Sequence, residues 1–156
     1  MRVAVLGAGA FGTAMALTLA RTGTEVGLWT RGRDHAAEMR RTRQNAKRLA
    51  GVALPESVSI SAEIGDFRSA GILLVAVPMQ QMAGLLAAVA HELDGKALVA
   101  CAKGIDIATG RGPTAILADA CPGATPAVLT GPSFAADIAK GLPTALTLAC
   151  MASASD

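Results

Sequence analysis

Six residues near the start, Gly7-Ala8-Gly9-Ala10-Phe11-Gly12, have the types and spacing to bind a diphosphate. The pattern G-x-G-x-x-G is weak alone, but its context here is specific. The short apolar run Val3–Leu6 leads into it, and Ala10–Thr22 leads out, carrying Phe11, Met15, Leu17 and Leu19 among alanines. A strand turning sharply into a helix leaves free N–H groups and the positive end of the helix dipole at the turn. Gly7 then serves the tight exit from the strand, Gly9 the approach of backbone to a pyrophosphate, and Gly12 close packing of helix on strand. The chemistry implied is dinucleotide binding.

The residues after the next run, Glu25–Trp29, bear on which dinucleotide. An NAD site usually presents Asp or Glu there to the ribose 2′-hydroxyl. This chain presents Thr30-Arg31-Gly32-Arg33. A carboxylate would repel a 2′-phosphate, whereas a guanidinium pairs with it through charge-assisted hydrogen bonds. NADP(H) is therefore preferred, with Arg31 as the main contact and Arg33 as the second. NAD(H) stays open: the arginines could instead solvate a helix start, and a shift of register would bring Asp34 to the ribose.

These residues need elements to hold them. Strand-like runs at Val3–Leu6, Glu25–Trp29, Val58–Ile60, Ile72–Val77, Ala97–Ala100, Ala127–Leu129 and Ala145–Ala149 alternate with helical patterns. The helices read Ala10–Thr22, Arg33–Leu49, Met79–Leu93, Pro113–Ala120 and Ser133–Lys140. The strands are continuously apolar rather than alternating, the mark of a parallel sheet buried on both faces. The fold class expected is α/β, a Rossmann-type, doubly wound, mostly parallel sheet filling residues 1–156.

Composition removes other classes. With 52% hydrophobic and 17% charged residues among 156, the chain is no disordered segment. Phe11, Trp29, Phe67 and Phe134 are its only aromatics, too few for the stacking platforms of a single-strand nucleic-acid binder. Seven of its 14 Lys and Arg fall between Arg31 and Arg48, yet a net charge of +2 is small for a nucleic-acid surface, so no nucleic-acid partner is expected. Mean hydropathy is +0.45, but no apolar run approaches the ~20 residues that span a bilayer, and no membrane partner is expected. The start, Met1-Arg2-Val3-Ala4-Val5-Leu6, does not read as a signal peptide, which points to the cytoplasm. Cys101, Cys121 and Cys150 are widely spaced, as are His35 and His91, so neither a disulfide framework nor a metal site is expected. Buried, reduced thiols are the simpler reading.

Four further segments join the glycine loop in a fixed order: Asn45-Ala-Lys-Arg-Leu-Ala-Gly51 with Leu54-Pro55, Val75-Ala-Val-Pro-Met-Gln80, Ala102-Lys103-Gly104-Ile105 with Thr109-Gly110, and Thr130-Gly-Pro-Ser-Phe-Ala135 with Gly141-Leu-Pro-Thr-Ala145. In this order the whole chain resembles the N-terminal domain of the bacterial NAD(P)-dependent glycerol-3-phosphate dehydrogenases. The resemblance implies reversible reduction of dihydroxyacetone phosphate to sn-glycerol 3-phosphate, an entry to phospholipid synthesis, and a parent enzyme able to assemble as a homodimer. It implies that Ala10, Phe11, Pro78 and Ala135 lie along the cofactor, that Arg31 meets its adenosine phosphate, that Lys103 contacts cofactor and substrate, and that Gly131 and Ser133 line the substrate site. Ser133 could also cap a helix.

Two departures stand out: Arg48 and Ala50 occupy positions where the family often has Tyr and Pro, and Met79 follows Pro78 where a small residue is common. The resemblance places the general acid–base lysine and the phosphate-gripping residues in a helical C-terminal domain absent from these 156 residues. The chain is accordingly expected to bind cofactor without full activity. Rival readings are another two-domain dehydrogenase, such as a ketopantoate reductase or a hydroxyacid dehydrogenase, and a nucleotide-sensing module without chemistry. The Gly-Pro-Ser-Phe-Ala segment speaks against the first and Lys103 against the second.

Overall fold

Alternate residues of the first strand go to opposite faces, and both faces are covered. Val3 and Val5 join one apolar cluster, Ala4 and Leu6 another, and all four are buried. A strand apolar on both sides can only lie inside a sheet sandwiched by helices. The computed structural model, which describes residues 2–150, has that arrangement.

Its elements begin with β1 (Arg2–Leu6), α1 (Ala10–Arg21), β2 (Glu25–Trp29), α2 (Arg33–Thr42), β3 (Gln44–Asn45), β4 (Leu49–Ala53) and β5 (Val58–Ser61). A short 3-10 turn, Ile64–Phe67, leads into β6 (Ile72–Val75), α3 (Met79–Leu93), β7 (Ala97–Ala100), α4 (Pro113–Ala120), β8 (Thr125–Thr130), α5 (Ala135–Lys140) and β9 (Thr147–Cys150). The main sheet has seven strands in the order β5-β2-β1-β6-β7-β8-β9. All pairings are parallel except β8 with β9, which is antiparallel. The registers Val3↔Val26 and Val3↔Ile72 show β1 held centrally between β2 and β6.

Helices α1, α2 and α5 cover one face through residues such as Leu17, Met39 and Ile138. Helices α3 and α4 cover the other through Met82, Leu86 and Leu117. Each fully buried side chain of this size contributes roughly 1.5–3 kcal/mol.

The Rossmann-type expectation is met, with corrections at the element ends. The helical pattern over Arg33–Leu49 is not one helix. It stops at Thr42, because Arg43 turns left-handed (φ 51) and its N–H closes on the Met39 carbonyl. The chain then doubles back as the β3–β4 hairpin, which buries Asn45 and Leu49. The strand expected over Ile72–Val77 pairs only to Val75. The helix expected from Ser133 begins at Ala135; Phe134 is the capping position and no side chain caps it. Ser133 is therefore no helix cap. The last strand runs antiparallel along the sheet edge with all four residues exposed. Cys150 lies on it and is exposed, against the expectation of buried thiols, while Cys121 is buried and Cys101 half-buried. Among the described residues no helix is long and apolar enough to cross a membrane.

Candidate functional site

Strand order reverses between β1 and β6, with α1 on one face and α3 on the other. Connections leaving these two strands diverge, which opens a crevice beyond their carboxyl ends. A cleft of about 710 Å³ lies there, floored by Gly7, Ala8, Gly9 and Trp29. Arg31, His35 and Arg48 line one side, Val77, Pro78, Gln81 and Leu85 the other. The volume suits a cofactor-sized ligand.

The glycine loop is shaped as its sequence requires. Gly7 sits at φ +121, and a Cβ there would stand 2.6 Å from the Ala76 carbonyl oxygen. A Cβ on Gly12 would overlap the Gly7 carbonyl. At Gly9 nothing lies within 4 Å, so that side of the loop is open. Gly9 is also the capping position of α1, and no side chain caps it. The first-turn N–H groups of α1 therefore remain available to an anion.

The arginines divide. Arg31 and Arg48 are both exposed, both line the cleft, and neither has a carboxylate partner among the described residues. No Asp or Glu lines the cleft. Arg33 instead pairs with Glu63 at 2.9 Å, outside the cleft lining, and Asp34 does not reach the lining either. Sequence reasoning gave Arg48 no role; its membership of the basic stretch was the available signal. His35 was missed as well.

The other anticipated residues form a second group at the carboxyl ends of β7 and β8. The Lys103 ammonium donates to the Gly131 carbonyl at 3.4 Å, which ties the two loops together. Gln80, at the start of α3, holds the Lys103 loop at two points: its amide nitrogen donates to the Ile105 carbonyl (2.9 Å) and its oxygen accepts the Ile107 N–H (3.0 Å). Asp106, buried, accepts the Thr109 N–H (2.9 Å) and hydroxyl (2.6 Å). Ser133 is half-buried, and Phe134 beside it is exposed. Ala10 opens α1 and is half-buried, while Phe11 and Ala135 pack against the same apolar cluster from α1 and α5. None of Ala10, Phe11, Gly12, Lys103, Gly131, Ser133 or Ala135 lines the cleft itself. Burial pushes the Cys101 thiol up to about 12, so it stays protonated and offers no nucleophile beside Lys103.

With a glycine loop over an uncapped helix start, and two guanidiniums without a carboxylate partner among the described residues, the residues fit a nicotinamide dinucleotide. Comparison with known proteins agrees on the fold and sharpens the class. Residues 2–155 match the family model described as the N-terminus of NAD-dependent glycerol-3-phosphate dehydrogenase. A Ruegeria protein named glycerol-3-phosphate dehydrogenase, NAD(P)+, is 57% identical over 150 residues, covering 96% of this chain and 47% of that protein. One of the same name from Cereibacter sphaeroides is 56% identical, covering 94% of this chain and 43% of that protein. The crystal structure of glycerol-3-phosphate dehydrogenase from Coxiella burnetii superposes with a TM-score of 0.89 at 30% identity, over 96% of this chain and 46% of that one. The chain thus spans about half the length of the curated relatives it matches.

Proposed function

The chain belongs to the family of NAD-dependent glycerol-3-phosphate dehydrogenase N-termini, and from that premise we propose that it is the cofactor-binding half of an enzyme interconverting dihydroxyacetone phosphate and sn-glycerol 3-phosphate. The observation that carries this reading is the cleft at the β1–β6 switch point, floored by an open glycine loop and free of carboxylates. A nicotinamide dinucleotide supplies hydride chemistry when bound.

The chain's own residues have separable tasks. The Gly7–Gly12 loop and the α1 N–H groups hold the diphosphate. Arg31, with Arg48 rather than Arg33 as its neighbour, favours the 2′-phosphate of NADP(H) over NAD(H). Pro78 forms part of the wall where α3 begins, and Phe11 and Ala135 back the cofactor from the opposite face.

Lys103 places a positive charge and three donors beside the substrate carbonyl oxygen, where negative charge grows during reduction. Removing one such donor typically costs 10²–10³ in rate. The Ser133 hydroxyl and the Gly131 backbone orient the substrate oxygens. The proton that completes the alcohol comes from a group outside residues 1–156. The substrate is a small phosphorylated molecule, the reaction serves phospholipid precursor synthesis, and its setting is the cytoplasm. Family membership leaves the ketopantoate-reductase and sensor readings without a supporting observation.

The test uses the 156-residue polypeptide. Fluorescence titration should show saturable NADPH binding, and an assay with NADPH and dihydroxyacetone phosphate should show no turnover. Absent binding would overturn the cofactor assignment; brisk turnover would overturn the assignment of proton transfer to another part of the protein.

A further inference from the structure

We propose that Asn45 is a positioning residue for the diphosphate loop, and that His35 holds Asn45 in the orientation this requires. The proposal rests on the cofactor-binding reading above. Asn45 lies on the short strand β3, remote in sequence from the loop, yet it is only 1% exposed. Its side-chain nitrogen donates to the Ala8 carbonyl at 3.0 Å and to the Thr13 hydroxyl at 2.8 Å. Its oxygen faces the His35 Nε2 at 3.0 Å, and the His35 Nδ1 lies 3.2 Å from the Thr30 hydroxyl.

Donor logic fixes the chain of bonds. A backbone carbonyl can only accept, so the Asn45 nitrogen must face Ala8 and its oxygen must face His35. The His35 Nε2 then carries a proton, and Nδ1 shares a hydrogen bond with the Thr30 hydroxyl. Every polar atom of the Asn45 amide is used.

The consequence concerns Ala8. It sits between Gly7 and Gly9, two residues with little intrinsic conformational preference, so the peptide that carries its carbonyl could turn into the cleft. A carbonyl oxygen there would face the diphosphate with like partial charge. Asn45 pulls that oxygen inward and locks it to α1 through Thr13. His35 extends the same tether to Thr30, whose next residue is Arg31. This hydrogen-bond chain meets the glycine loop at Ala8, so its effect falls on the diphosphate end of the cleft, while Thr30 serves to hold His35.

The two ends can be probed separately by calorimetric titration of the 156-residue polypeptide with NADPH and with adenosine 2′-monophosphate, which lacks the diphosphate. Asn45→Leu should weaken NADPH about tenfold, the order expected when a carbonyl loses its buried donor, while adenosine 2′-monophosphate stays within about twofold. His35→Phe should weaken NADPH in the same direction, and His35→Gln, whose amide can still donate to Asn45, should restore it.

Should Asn45→Leu fail to fold, the wild-type Asn45 side-chain amide signals in an NMR titration answer the same question. They should shift with NADPH and not with adenosine 2′-monophosphate. Unchanged NADPH affinity in Asn45→Leu, equal losses for both ligands, or amide signals indifferent to NADPH would overturn the positioning role. A wild-type chain binding neither ligand would overturn the cofactor reading instead.

Discussion

Arg31 and Arg48 differ from four of the other arginines in what faces them. Arg33, Arg43, Arg68 and Arg111 each have a carboxylate partner in Glu63, Glu56, Glu92 and Asp119, whereas Arg31 and Arg48 face an open cleft. Arg31→Asp should therefore weaken NADPH more than NADH by about 1.5–3 kcal/mol, the worth of charged hydrogen bonds. Arg48→Ala should act in the same sense but less, and both effects should shrink as salt is raised. Parallel titrations with the two cofactors check this; equal losses would remove the arginines from the 2′-phosphate. A second residue-scale prediction concerns thiols. With its pKa near 12, Cys101 is almost wholly protonated at pH 8, whereas Cys150 is exposed on β9. Iodoacetamide at that pH should label Cys150 and spare Cys101, as read by mass spectrometry of the peptides. At this scale the sequence was legible where a residue's own type dictates its conformation or packing, as for Gly7 and Gly12. It was silent on the contacts of Asn45, which a hairpin brings to a loop more than thirty residues away, and of His35, which reaches that loop through Asn45. Nor could it show that Arg33 would meet Glu63, a carboxylate thirty positions along the chain.

The main sheet's strands and their covering helices were legible in kind and order because a parallel sheet with two buried faces leaves an unmistakable run of apolar strands, whereas the β3–β4 hairpin was read in part as helix. The ends of the elements were not legible, because ends are set by single residues and tertiary partners. The clearest case is α2, whose helix-forming composition continues past the point where Arg43 adopts φ 51. The Arg43 guanidinium explains why that turn persists: it donates to the carbonyls of Leu54 (3.3 Å), Pro55 and Val58 (3.0 Å), fixing the segment that leads into β5. Two terms oppose each other here. A glycine at position 43 would relieve about 1–2 kcal/mol of left-handed strain, but loss of the side chain removes charged hydrogen bonds worth about 1.5–3 kcal/mol each. Both Arg43→Ala and Arg43→Gly should lower the melting temperature, the glycine variant less. The same weighing applies to α1. Ala is favoured over Gly in a helix interior by about 1 kcal/mol, yet a Cβ on Gly12 would overlap the Gly7 carbonyl oxygen, a backbone atom with no rotamer to escape through. Overpacking of this kind costs about 1–3 kcal/mol or more. Gly12→Ala should therefore destabilise the chain and displace the loop; thermal unfolding and NADPH titration read the two effects.

The whole molecule is uneven in how it treats its surface. The β5 edge of the main sheet belongs to a strand with Val58, Ile60 and Ser61 buried, but the opposite edge, β9, is exposed at every residue. Leu148 on β9 is 61% exposed and Leu142 just before it 50% exposed. Natural edge strands are usually protected by charge, proline or a bulge. Thr147-Leu148-Ala149-Cys150 has no charge and no proline. Its outer N–H and C=O groups also have no strand beside them among the described residues. Apolar side chains and unpaired backbone on one edge favour pairing with whatever presents the same features, and a second copy of the chain always does. The 156-residue polypeptide should accordingly associate reversibly, with a mass by light scattering that rises with concentration. Leu148→Lys places a charge on that edge without touching β8, whose pairing to β9 runs through backbone, so it should return the protein to a monomer while NADPH affinity stays the same. That pairing of outcomes separates edge association from general instability, since a merely destabilised chain would aggregate more and bind less. A wild-type polypeptide that stays monomeric at high concentration would show that β9 is shielded despite its composition.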